Sequence, residues 1–121
     1  MSNIRRARFA RLVRRALGDL PPSLREKMRN VEIVVEDEPD PEHTRDGTTL
    51  LGLYEGVPLT ERWSGEPTLP DRITIYRRPI EAMSVSPQVQ AHIVRDTVVH
   101  EIAHHFGISD HRLGELGLGD A

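Results

Sequence analysis

The sequence contains no cysteine, few aromatic residues and no long apolar run. Because cysteine is absent, the chain can form neither disulfide bonds nor thiolate–metal bonds, and any metal must be bound by histidine, aspartate or glutamate. Aromatic residues make up 4% of the chain, so we expect a core of aliphatic side chains. No apolar run approaches the roughly 20 residues of a transmembrane helix, and arginines interrupt the segment where a signal peptide would be apolar. We therefore expect a cytoplasmic protein with no membrane partner.

Charge is unevenly distributed along the chain, although the net charge is only −3. Residues 1–30 contain nine arginine and lysine residues against two acids, whereas residues 31–46 contain seven acids and one arginine. The favoured interpretation is a solvated basic helix that packs against the acidic segment. The alternative is a surface for nucleic acid or another anion. Since no aromatic-rich or glycine-rich pattern accompanies the arginines, nucleic acid is the disfavoured partner.

Apolar periodicity and turn residues divide the chain into helices and strands. The predicted helices cover residues 4–17, 22–29, 86–106 and 110–117, and a short turn or helix covers 79–83. The predicted strands cover residues 31–36, 50–55 and 72–77, and polar loops cover 37–48 and 59–70. We expect an α+β fold in which helices cover one face of a sheet of at least three strands. Its 121 residues form one domain, with a basic N-terminal helix at 1–20 and the domain core at 21–118.

The longest predicted helix carries His100 and His104, with Glu101 directly after the first histidine. Residues four apart on a helix are separated by about 40° around its axis, so both imidazoles can bind one metal ion. Glu101 can then take a proton from a water molecule at that metal. His105 lies about 140° around the helix from His100 and cannot face the same ion. The pattern therefore predicts a metal site with Glu101 as general base.

A catalytic zinc ion needs a third protein ligand, which must come from beyond this helix. Gly107 follows the helix, and glycine accepts the left-handed conformation in which the chain can turn back sharply. Asp110, three residues later, is the favoured third ligand. Two alternatives stay open: His111 binds the metal instead, or Asp110 only caps the last helix.

Several other residues have less defined predicted roles around this site. Asp96 lies one helical turn before His100 and is a candidate hydrogen-bond acceptor for its imidazole, but it is equally well explained as a surface acid. Tyr54, Tyr76 and His111 are candidates for stabilising a transition state, and the sequence favours none of them.

Three blocks of the sequence resemble one family when they are taken together: residues 50–62, 69–80 and 97–110. They are similar, in the same order, to the bacterial minimal zincin-like metallopeptidases, and the resemblance extends over about residues 20–118. It implies a compact zincin fold with a small mixed sheet and a Zn²⁺ site at His100, His104 and Asp110, with Glu101 catalytic. Unlike the larger metzincins, the chain has no methionine after Asp110, so the floor of the site must differ.

The resemblance also implies that the strand at 50–55 lies beside the metal and pairs with an extended substrate. The alternative is that this strand is only part of the sheet. The favoured function is thus a zinc-dependent peptidase whose partner is a peptide or unfolded protein, and a monomer is compatible with the sequence. Iron, cobalt or manganese could replace zinc, because such sites do not select a metal by affinity alone.

Two other functions stay open. The domain could bind zinc and a partner without catalysis. It could instead be a metal-dependent hydrolase of nucleic acid, because a bacterial RNA-maturation family has a comparable helix, glycine and third ligand. That family lacks a glutamate after the first histidine, and Glu101 therefore argues against the second alternative.

Overall fold

The computed structural model describes residues 2–26, 28, 31–56, 71–108 and 110–115, without the side chains of residues 2, 110 and 113. Three predictions lie wholly or partly outside the described residues: the loop at 59–70 and the ends of the helices at 22–29 and 110–117. No helix within the described residues is long and apolar enough to cross a membrane.

The N-terminal helix α1 (Ser2–Gly18) buries a single apolar stripe. Phe9, Val13 and Ala16 recur at spacings of three and four residues, and each is at most 4% exposed. The arginines between them face solvent, as expected for an amphipathic helix at a surface. A short helix α2 (Pro22–Glu26) follows. The first helix lies where the sequence predicted it, and the second begins where predicted, but Met28, inside the predicted range of 22–29, is not helical.

The strands β1 (Val31–Glu36), β2 (Gly52–Glu55) and β3 (Asp71–Tyr76) form a mixed sheet in the order β1-β3-β2. β1 is parallel to β3, whereas β2 is antiparallel to it. In the central strand β3, residues 73–76 are all buried, as expected for a strand that is covered on both faces. β2 is an edge strand of the described sheet. The predicted loop at 37–48 contains a short 3-10 helix, Pro41–Thr44.

Three further helices are described: α3 (Arg77–Met83), α4 (Pro87–Phe106) and α5 (Asp110–Glu115). The long helix α4 packs against α1, α3 and both β2 and β3. Its residues Val94, Val98 and Ile102 are at most 2% exposed. This helix is therefore central and largely buried. The predicted α+β architecture is confirmed.

A cluster of ion pairs joins α1 to α3 through the loop after β1. Asp37 accepts hydrogen bonds from Arg6 and Arg77, and Arg77 also donates to Glu81 at 2.7 Å. The Arg77 side chain is only 3% exposed, so these two acids compensate a buried charge. Because Arg77 forms these ion pairs as the first residue of α3, the third strand ends at Tyr76, one residue before its predicted end.

Candidate metal centre

The length of α4 is fixed by the residues at its two ends. The hydroxyl oxygen of Ser86 accepts a hydrogen bond from the N–H of Val89 at 3.1 Å, and Pro87 begins the helix. At the other end Gly107 has a φ of 68°, and its N–H donates to the carbonyl groups of the last turn. The left-handed turn predicted for Gly107 is therefore present, and α5 begins three residues later.

His100 and His104 both line a cleft of about 430 Å³ beside β2. The Nδ1 atom of His100 lies 2.9 Å from the backbone carbonyl oxygen of Asp96. A carbonyl oxygen can only accept, so Nδ1 donates and the lone pair of the neutral ring is on Nε2, which suits a metal ligand. Asp96 is thus the predicted acceptor for His100, but through its backbone. Its carboxylate lies 3.2 Å from Nε2 of His92.

Glu101 also lines this cleft, and its side chain is largely buried. Its carboxylate accepts a hydrogen bond from the backbone N–H of Tyr54, and Oε1 lies 3.2 Å from Nδ1 of His104. Burial raises the pKa of Glu101, and electrostatic interactions with His104 and His100 partly oppose that rise. A desolvated carboxylate that still borders a cleft is well suited to proton transfer.

Gly52 allows α4 to approach β2 closely. A Cβ atom at this position would lie 2.8 Å from Cγ2 of Thr97 and 3.1 Å from Cγ of Glu101. Any larger residue would therefore push the candidate base away from the edge strand. The sequence analysis did not single out Gly52, although a glycine inside a strand often marks the close approach of another group.

A buried hydrogen-bonded chain supports the site from β3. The Oδ2 atom of Asp71 accepts from the hydroxyl of Tyr54 at 2.6 Å and from Nδ1 of His105 at 2.7 Å. His105 is 1% exposed, whereas the neighbouring His104 side chain is 61% exposed. Tyr54 therefore links two acids: its phenol donates to Asp71, and its backbone N–H donates to Glu101. The sequence analysis missed Asp71, which no local motif marks.

The remaining candidates, His111, Tyr76 and Tyr54, have different surroundings. His111 is exposed on α5, with its Nε2 atom 2.9 Å from Oε1 of Glu115. Tyr76 is 3% exposed within the sheet, whereas the ring of Tyr54 lies 6.4 Å from that of His104. Tyr54 is thus the candidate that the fold brings beside a predicted ligand.

The third metal ligand stays a prediction, because the side chain of Asp110 is outside the described part of the chain. Within that part, no group of three metal-binding side chains is complete. The described side chains nevertheless include ligand types that zinc prefers. His100 and His104 present two imidazoles from one helix, and His100 has its lone pair on Nε2. Asp110 or His111 would complete such a set.

The region that contains this site matches a known protein family. Residues 28–119 match the family described as zincin-like metallopeptidases. The chain belongs to the zincin-like metallopeptidase family. The matched region contains all three strands of the sheet and the whole of α4, but not α1. The resemblance seen in the sequence is therefore confirmed. No curated protein matches the chain.

Proposed function

We propose that this zincin-like protein is a zinc-dependent peptidase that hydrolyses extended or unfolded polypeptides. The observation that carries the proposal is the position of Glu101, whose largely buried carboxylate lies beside His104 and borders the cleft that His100 also lines. A carboxylate that only stabilised the fold would be expected to be enclosed by its partners, as Asp71 is between Tyr54 and His105. Glu101 instead borders the open cleft, while it accepts from the Tyr54 N–H and lies next to two imidazoles.

His100, His104 and Asp110 would hold the zinc ion, with His111 as the alternative to Asp110. A bound zinc ion supplies Lewis-acid chemistry: it acidifies water and polarises a carbonyl group. Glu101 takes a proton from the attacking water as the water oxygen bonds to the carbonyl carbon of the substrate. When the C–N bond breaks, Glu101 gives that proton to the departing amine.

Tyr54 positions Glu101 for both proton transfers. Its backbone N–H and the nearby His104 ring restrict the carboxylate before substrate binds. Such preorganisation lowers the entropic cost of reaching the reactive geometry. The phenol of Tyr54 is in turn fixed by Asp71, so the edge strand has little freedom to carry the base away.

We assign substrate binding to the edge strand β2. The N–H of Tyr76 donates to the carbonyl of Leu51 at 2.9 Å. Because pairing alternates along an antiparallel strand, the N–H and C=O of Gly52 and the C=O of Tyr54 point away from β3, while the Tyr54 N–H is already bonded to Glu101. An extended peptide can add to this edge as a further strand. The peptide group of Gly52 would then place the substrate backbone next to Glu101.

The Glu101→Gln variant tests the proposal most directly. We expect wild type to bind zinc and to cleave an unfolded protein such as casein, and Glu101→Gln to keep the zinc but lose activity by about a hundredfold or more. Glu42→Gln, which changes an exposed glutamate on the 3-10 helix, is the matched control and should cleave normally.

Equal cleavage by wild type and Glu101→Gln would contradict the assigned base. A wild-type protein that binds zinc but cleaves nothing in a broad peptide library would contradict the peptidase function and leave a zinc-binding module. The cytoplasmic location stays a prediction from the sequence, with which a monomer is compatible.

A further inference from the structure

We infer that the cleft beside the metal centre is a subsite for a bulky apolar side chain, so that peptides with such a residue next to the cleaved bond are the preferred substrates. The inference rests on the proposed peptidase function. A volume of about 430 Å³ is within the size range of pockets that bury ligand groups. The cleft therefore has room for a large side chain together with adjoining backbone.

Two kinds of side chain line the cleft. His100, Glu101 and His104 are the candidate catalytic and metal-binding residues, and the apolar residues come from three separate segments of the chain. These are Leu50 and Leu51 before β2, Met83 at the end of α3, and Ile93 on α4. None of them belongs to the metal-binding motif. The fold has thus joined an apolar surface to the candidate catalytic residues.

Part of this apolar surface is open to solvent. Met83 is 52% exposed, and Leu50 is half-buried and lies outside the hydrophobic core cluster. Neither side chain is therefore needed to fill the core. An apolar substrate side chain that covers both would remove their surface from water, which favours binding. Continuity with Glu101 makes a residue next to the cleaved bond the natural occupant.

The charges in the cleft disfavour other side chains. Asp96 and Glu101 contribute carboxylates, and no arginine or lysine is among the described residues that line the cleft. An acidic substrate side chain would meet like charge from both of these carboxylates. The carboxylate of Asp96 already lies 3.2 Å from Nε2 of His92, which weakens its attraction for a basic side chain.

Cleavage of a peptide series by the zinc-loaded protein tests the preference. In the series, one residue next to the cleaved bond is Leu, Phe, Met, Ala, Lys or Glu. We expect kcat/KM for Leu and Phe to exceed that for Ala and Glu by about tenfold or more. The variants Met83→Gln and Leu50→Gln should each reduce this preference by about threefold to tenfold. Val85→Gln changes a valine that is 89% exposed and outside the cleft lining, and should leave the preference unchanged.

A second measurement does not depend on turnover. The chain has three methionines, so methyl-labelled methionine gives a simple NMR spectrum. A leucine-containing peptide amide added to Glu101→Gln should shift the Met83 methyl signal with saturation, and the glutamate analogue should not. Met28 packs against the hydrophobic core and serves as internal reference.

The outcomes separate the subsite from the peptidase function. Cleavage with equal rates across the series, or with a preference for Lys or Glu, overturns the apolar subsite and leaves the peptidase proposal intact. A saturable Met83 shift without any cleavage by wild type supports the subsite and overturns the peptidase function. An unchanged Met83 signal at peptide concentrations that saturate cleavage also overturns the subsite.

Discussion

Asp71 and His105 form a buried pair in which 2.7 Å separates the Oδ2 atom of the acid from Nδ1 of the imidazole. The same Oδ2 atom accepts from the hydroxyl of Tyr54, whose backbone N–H donates to Glu101. Two residues without any predicted role in the metal site therefore support the strand that orients the candidate base. The zincin-like domain builds its site from β2 and β3 as well as from α4.

Removal of the Asp71 carboxylate should destabilise the whole domain. Asp71→Ala leaves the Tyr54 hydroxyl and the buried His105 ring without their acceptor, and we expect the free energy of unfolding to fall by about 3 kcal/mol. Urea denaturation measures this change. Asp19→Ala, at an exposed acid, is the control and should change stability by less than about 0.5 kcal/mol. A loss of similar size in both variants would show that the buried pair does not stabilise the fold.

A methyl group at position 52 should disturb both packing and catalysis. The added Cβ of Gly52→Ala would crowd Thr97 and Glu101, and we expect a loss of about 1–3 kcal/mol in unfolding free energy and reduced peptide cleavage. Thr97→Ser removes the nearest methyl group but keeps the hydroxyl that donates to the carbonyl of Ile93 at 2.8 Å. The double variant Gly52→Ala/Thr97→Ser should therefore recover part of both losses.

Gly18→Ala is the matched control for this experiment, because a Cβ at Gly18 meets no atom within 4 Å. It should be neutral or slightly stabilising. Strictly additive effects of the Gly52 and Thr97 substitutions would show that their contact does not cause the loss.

Zinc titration of single variants identifies the third ligand. His100→Ala and His104→Ala should each reduce zinc affinity strongly, and Asp110→Ala should do the same if its carboxylate completes the set. His111→Ala should bind zinc like wild type, since the described His111 side chain is exposed and lies beside Glu115. The reverse result, normal binding by Asp110→Ala and weak binding by His111→Ala, would assign the ligand to His111.

The stability contribution of Asp37 should depend on pH. Hydrogen bonds from Arg77, and then from Arg6, hold the pKa of Asp37 below its usual value of 3.8. A carboxyl group with a lowered pKa in the folded state stabilises the fold above its unfolded-state pKa, and this contribution is lost as the pH falls through the folded-state pKa. Asp37→Asn should therefore be less stable than wild type near pH 7.

The same difference should shrink below about pH 4 and approach zero at still lower pH. Thermal denaturation of both proteins across this range measures it. A difference that is constant with pH would show that the charge of Asp37 is not what stabilises the contact. Asp19→Asn, at an exposed acid, is the control for the substitution itself.

The fold was predictable from the sequence wherever the signals were local. The apolar spacing in α1, the β-branched run of β1 and the Ser86-Pro87 start of α4 each act over a few residues, and these elements lie where they were predicted. The predicted end of β3 was wrong by one residue because Arg77 is buried by two ion pairs and begins α3. One partner, Asp37, is 40 residues away in the chain, and the other, Glu81, lies one turn later on α3. Alternation of polar and apolar residues contains no such information.

The sequence by itself determined the spacing of His100, Glu101 and His104, because one helical turn places them together whatever surrounds the helix. It also determined where that helix ends, since Gly107 accepts the left-handed conformation. Only the tertiary structure decided that Gly52 lies against Glu101, that Asp71 joins Tyr54 to His105, and that Met83 borders the cleft. These residues are far apart in the chain, and their contacts follow from the strand order and from the packing of α4 on the sheet, which no local pattern encodes.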